Sequence, residues 1–190
     1  TGIEYQVASH LIYEGLIEEG LTIVKGVRDR YDGRRRNPWN EVECGHHYAR
    51  AMSSWGVLLA LAGYSYSGPQ MAMGFDPKIS PEDFRTIWTA GPGWGTYSQK
   101  AEGAKGLAIS LTAESGKVTL KELSFVKPAV FQGKKVGSLA ATQGGRAVKA
   151  AIREEGKAGR HTIIHFAVPV VVEPGKPIVL EIKLQNGSES

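Results

Sequence analysis

The sequence predicts an α+β chain, with helices gathered at its front and antiparallel strands behind them. Two observations carry that expectation. Up to Gly63 the apolar residues recur at helical spacing. Beyond it they alternate, in a stretch that holds eight of the nine prolines. The expected organisation is therefore a helical part over 1–63 and a β-rich, sandwich-like region of hairpins over 64–190.

Helical spacing is clearest at the start. Ile3, Val7 and Leu11, with Ala8, Ile12 and Leu16, mark an apolar face, and Thr1 and Glu4 have the spacing of a capping box. Gly15 breaks the run. Leu16, Ile23, Val24 and Val27 then form a second apolar series, with Glu18, Glu19, Lys25 and Arg28 turned to solvent. The reading is two antiparallel helices over 3–14 and 16–30. Asp32-Gly33 ends the second, and Pro38 excludes a helix through 31–43. A third helix is expected from His46 to Ala62. It carries Met52, Trp55, Val57, Leu58, Leu59 and Leu61 around much of its cylinder and no charge after Arg50. Such a helix asks to be buried on most sides, which three helices of this length do not achieve alone.

After Gly63 the pattern is that of strands. The runs 107–112 and 117–125 alternate about Ala113-Glu114-Ser115-Gly116 and predict a hairpin. The runs 163–172 and 178–184 about Glu173-Pro174-Gly175-Lys176-Pro177 predict a second. Further strands are expected over 85–89, 94–98 and 136–140, while 147–155 fits either a short helix or a strand. Gly91-Pro92-Gly93-Trp94-Gly95 lacks the Lys-Ser/Thr ending of a phosphate loop and reads as a turn between strands.

Composition narrows the function classes. With 42% apolar and 22% charged residues the chain is too apolar to be disordered. Its longest apolar runs, 57–62 and 167–172, are far short of a bilayer span. One cysteine, Cys44, allows no internal disulfide and fits a reducing, cytoplasmic compartment. Residues 1–63 carry 7 basic and 8 acidic side chains, and 64–190 carry 16 and 11. That excess is dispersed among acids, so no nucleic-acid partner is expected. The one basic cluster, Arg34–Arg36, reads as a solvated loop.

Chemistry-bearing residues concentrate in the segment 37–50, NPWNEVECGHHYAR. Glu43, Cys44, His46 and His47 are ligand types, but adjacent histidines with no second cysteine do not build a zinc site, and no metal is expected. A Cys44–His46 or Cys44–His47 nucleophile lacks the local signatures of thiol enzymes, although His10, His161 or His165 could supply a distant partner. A buried structural thiol is the simpler reading. Glu41 and Glu43 alternate along an extended segment, so they face opposite sides and make a poor dyad. Two readings remain open for Glu41 and Arg50. One is a buried pair locking loop to helix. The other is a polar ligand gripped by both beside the flat face of Trp39, as a sugar would be.

Three stretches carry a resemblance. TGIEYQVASHLIYEGLIEEGL, RDRYDGRRRNPWNEVECGHHYARAMSSWGVLLALAGYSYSGP and ISPEDFRTIWTAGPGWGTY resemble the C-terminal part of the non-lysosomal glucosylceramidase family, the bile-acid β-glucosidases and their bacterial and archaeal relatives. The similarity spans residues 1–98, and RNPWNEVECG-HYARAM is its most specific part. The resemblance implies that 1–63 supplies closing helices of an (α/α)6 catalytic barrel, followed by an antiparallel β-rich C-terminal region. It implies a retaining β-glucosidase, with nucleophile and acid/base upstream of this chain. Glu41 and Arg50 match the pair that hydrogen-bonds glucose hydroxyls. Trp39, Asn40 and His47 are further candidates for sugar contact. His46 departs from the Asp or Ser often found in relatives. The implied partners are a β-glucoside and an upstream part of the enzyme. No cofactor is implied, and peripheral membrane contact is left open. The chain alone is expected to be inactive. The rival expectation is a non-catalytic carbohydrate-binding or assembly module.

Overall fold

The computed structural model describes residues 1–38, 40, 50–131, 133–155 and 161–186, and for Arg50, Ala51, Glu154, Glu155 and Asn186 the backbone alone. The chain forms two compact units, Thr1–Gly63 and Tyr64–Ser190.

In the first unit, α1 (Gly2–Tyr13) and α2 (Ile17–Arg30) are followed by a 3₁₀ turn, Arg50–Ser53, that runs into α3 (Ser54–Ala62). Gly15, at φ 87°, supplies the left-handed step that ends α1, and Leu16 N–H closes the turn on the Leu11 carbonyl at 2.8 Å. Tyr5, Ala8 and Ile12 of α1 meet Val27 of α2 and Val57 and Ala60 of α3 in one small core. The buried stripe therefore runs through 5, 8 and 12. Of the expected face, Ala8 and Ile12 are buried, whereas Ile3 and Val7 are exposed, at 67% and 45%. The Thr1 side chain makes no capping bond, and Glu4 instead pairs with Arg30 at the far end of α2. That bond ties the two helices at their open ends.

The third helix also differs from expectation. The described backbone enters it as a 3₁₀ turn at Arg50 and becomes α-helical at Ser54. Only Val57, Ala60 and Ala62 of α3 are buried, while Trp55 is 53% exposed. Gly63, at φ 54°, ends it in the left-handed conformation. No described helix is long and apolar enough to cross a membrane.

The second unit is built from strands. In chain order they are β1 (Ser65–Ser67), β2 (Ala72–Phe75), β3 (Asp83–Ala90), β4 (Gly93–Glu102), β5 (Gly106–Gly116), β6 (Val118–Val126), β7 (Lys134–Gln143), β8 (Arg146–Ala147), β9 (Ala150–Glu155), β10 (His161–Val172) and β11 (Ile178–Asn186). One sheet has the order β1-β2-β6-β10-β9 and the other β3-β4-β5-β11-β7-β8. All pairings are antiparallel except β2 on β6. The inner faces meet as a sandwich. Phe75 of one sheet stacks on Tyr97 of the other with centroids 3.7 Å apart, among Trp88, Leu111, Leu120, Leu123, Phe125 and Leu180. Three buried polar side chains in this core find partners, while the Thr162 hydroxyl, fully buried, has none among the described residues. Tyr97 donates to Gln99 Oε1 at 2.7 Å, Gln99 donates to the Pro81 carbonyl at 2.7 Å, and Trp88 Nε1 donates to the Thr112 carbonyl at 2.9 Å.

Two expectations need correction. Neither predicted hairpin forms: β5 and β6 belong to opposite sheets, as do β10 and β11. Residues 113–116, expected as a turn, instead extend β5, and the chain passes from one layer to the other at Lys117 and again through 173–177. Alternation marked the inward faces of these strands but could not name their partners. The expected barrel-closing helices are overturned as well. The described residues hold three α-helices, folded on one another around their own core, and more than twice as many residues lie in the strands of the two sheets. This is a β-rich fold.

Candidate functional site

The segment 37–50 is approached through a hydrogen-bonded loop. The Asp32 carboxylate accepts the backbone N–H groups of Arg34 and Arg35, both at 2.9 Å, and these bonds hold its carboxyl below the usual carboxylate range. Gly33, at φ 83°, donates its N–H to the Arg36 carbonyl at 3.0 Å and turns the chain sharply. The Arg36 guanidinium lies 5.8 Å from the centre of the Tyr31 ring, a cation–π contact that orients it. Arg34 and Arg35 stand exposed.

Asn40 N–H then donates to the Asn37 carbonyl at 3.1 Å, closing a turn across Pro38. Proline suits that position because its ring presets φ for a turn and it has no N–H to lose. An open cavity of about 310 Å³, lined by Gly33, Arg34, Arg35, Arg36, Asn37 and Pro38, borders this turn. It is small and lined by three arginines, so it suits a polar or anionic group more than an apolar one.

Of the five sequence-derived candidates, Asn40 is half-buried on this turn, and the Arg50 backbone is the first residue of the 3₁₀ turn. Trp39, Glu41 and His47 lie outside the described residues, as do Glu43, Cys44 and His46, so the metal and thiol readings fall there too. The described ends of the segment are held by different means. The Asn40 end rests on the Asx and proline turns. The Arg50 end is carried by α3, which packs on α1 through Val57 and Ala60. Gly56 permits that approach, since a Cβ there would lie 3.0 Å from Ser9 Oγ, whose hydroxyl in turn donates to the Tyr5 carbonyl at 2.7 Å.

The histidines named as distant partners have other neighbours. His10 Nε2 is 3.8 Å from Glu14, and His165 Nδ1 is 3.1 Å from Glu122 across the β6–β10 pair. No group of three potential metal-ligating side chains occurs among the described residues. A larger polar cavity, bounded by Gln143, Arg146, Glu173 and Lys176, lies in the second unit. Its sequence signal was Gly144-Gly145 between two strand-like runs, a pair that suits a two-residue hairpin turn. No protein-family model matches the chain, and no curated protein matches it.

Proposed function

We propose that this chain is the C-terminal part of a retaining β-glucosidase, in which the segment 37–50 grips the glucose unit of a β-glucoside. The observation that carries the reading is the motif RNPWNEVECG-HYARAM and its resemblance to β-glucosidases of the glucosylceramidase type. The mounting of that motif is compatible with the role. A sugar-binding loop needs both ends held, and here a capped turn holds one end and a packed helix the other.

In this reading Glu41 accepts hydrogen bonds from sugar hydroxyls and the Arg50 fork donates to their oxygens. The flat ring of Trp39 suits the C–H face of a pyranose, and Asn40 and His47 are further candidates for sugar contact. The nucleophile and acid/base, which a retaining enzyme holds roughly 5 Å apart, come from upstream of Thr1. The present residues bind and orient.

The test is hydrolysis of an aryl β-glucoside by the 190-residue chain alone and by the chain joined to its upstream part. The chain alone is expected to be inert and the joined enzyme active. Arg50→Ala in the joined enzyme should lower kcat/KM by one to two orders of magnitude, because charged hydrogen bonds contribute about 1.5–3 kcal/mol. Turnover by the isolated chain, abolished by Glu41→Gln, would overturn the division of labour. An unchanged rate for Arg50→Ala would make that residue structural. A second reading, a carbohydrate-binding module without catalysis, is favoured by one observation: the sandwich has its own core and its own open polar cavity.

A further inference from the structure

The β7–β8 hairpin turns through two residues, Gly144 at φ 54° and Gly145 at φ 79°, a geometry that two consecutive left-handed residues create. Gln143 and Arg146 pair directly across that turn, so their side chains leave the hairpin on the same face. Gln143 Nε2 donates to the Val171 carbonyl of β10 at 2.5 Å, which shows where this face looks. It looks onto the strand of the opposite sheet. The turn itself is pinned from the other side, because Gly144 N–H donates to the Pro177 carbonyl at 2.9 Å.

Between these anchors lies an open cavity of about 700 Å³, within the ~300–1,000 Å³ common for small-ligand sites. Val148, Pro169 and Val171 give it an apolar floor. Its polar wall has two parts. Lys176 Nζ donates to Glu173 Oε1 at 2.6 Å, which holds the Glu173 carboxyl below its ordinary range and keeps it an anion at neutral pH. Arg146 is exposed, and among the described residues its guanidinium has no carboxylate partner.

This arrangement selects against two simple ligand classes. A dense polyanion would meet the Glu173 carboxylate. An apolar ligand would strip water from Arg146, Glu173 and Lys176 and return nothing. A ligand with one carboxylate, several hydroxyls and one apolar face matches every part of the wall. We propose that the cavity binds an acidic sugar, a hexuronate unit. Its carboxylate sits on the Arg146 fork, its hydroxyls donate to Glu173 and to Gln143 Oε1, and its C–H face lies on Val148, Pro169 and Val171. The proposal uses residues of the second unit alone and stands whether or not 37–50 binds glucose.

The test is an amide NMR titration of the full 190-residue chain with D-glucuronate, D-glucose and acetate at matched ionic strength. Glucuronate is expected to shift the amides of 143–148 and 169–176, with glucose and acetate each at least roughly tenfold weaker, since each lacks half of the recognised groups. Arg146→Gln should weaken glucuronate by roughly tenfold or more while leaving the amides of β4 and β5 in place, and Arg146→Lys should restore part of the affinity. Equal binding of glucose would overturn the role of the carboxylate. Acetate as strong as glucuronate would overturn the sugar. Shifts confined to other residues, no shifts at all, or indifference to Arg146→Gln would each overturn the site.

Discussion

Gly95 shows how a single position can be decided by a neighbouring strand. A Cβ added there would lie 1.9 Å from the Thr112 carbonyl oxygen, a backbone atom that has no rotamer to escape into. Gly91, four residues earlier in the turn before β4, would place its Cβ in open space. Gly95→Ala is therefore expected to destabilise by about 3 kcal/mol or more, and Gly91→Ala to stay within about 0.5 kcal/mol, in urea unfolding of the full chain. Similar losses at both sites would mean that the close approach at Gly95 relaxes freely. Tyr64 gives a pH-dependent counterpart. Burial pushes its phenol up to about 12 from an ordinary value near 10, and its hydroxyl donates to the Thr89 carbonyl at 2.8 Å, a bond that only the neutral form can make. The fold thus holds this proton more tightly than the unfolded chain does. The associated stability is intact below the ordinary tyrosine range and is lost as pH rises through it towards about 12. Tyr64→Phe should flatten that alkaline decline. An unchanged slope in pH-dependent unfolding would remove Tyr64 as its source.

Among the elements, α2 offers the sharpest contrast. A Cβ at Gly20 would lie 2.7 Å from Ile12 Cγ1 and 2.8 Å from the Ala8 carbonyl, so glycine is what lets α1 and α2 approach. Gly26, on the same helix, has open space. Gly20→Ala should cost about 1–3 kcal/mol through overpacking, while Gly26→Ala should add about 0.8–1 kcal/mol from helix propensity. Opposite shifts of the denaturant midpoint are the expected result, and shifts of the same sign would contradict the packing. These helices were legible in the sequence because local spacing and Gly15 are local signals. Which part of that face became the interior was not, since Ile3 and Val7 are as apolar as Ala8 and Ile12. The small Ala8 and Gly20 allow contact where the larger pair does not. Strand identity was legible for the same reason, and strand pairing was not. Gly116 pairs back to Gly93 of β4 while Val118, two residues later, already belongs to the other sheet.

For the whole molecule, the sandwich unit Tyr64–Ser190 contains a core of its own, from Phe75 and Trp88 to Leu180 and Ile182. Residues 64–190 expressed alone should give a dispersed, β-type amide spectrum and a cooperative unfolding transition. A collapsed spectrum with no transition would show that the helical unit is required for that core. The candidate glycone site was legible only as a motif: its turn at Asn37–Asn40 and its 3₁₀ start at Arg50 are described, and Trp39, Glu41 and His47 lie outside the described residues.

By itself the sequence determined most of where helical and extended backbone occur, leaving 147–155 open and β1 and β2 unnamed, and which residues could carry chemistry. Those features depend on periods of 3.6 and 2 and on glycine and proline, all of which act within a few residues. The tertiary structure decided everything that joins distant segments: the layer to which each strand belongs, the part of the α1 face that is buried, and the placing of Arg146 and Glu173 along one cavity. The physical reason is that backbone hydrogen bonds are alike for every strand. Partner choice therefore falls to the packing of the whole core, where Phe75 finds Tyr97.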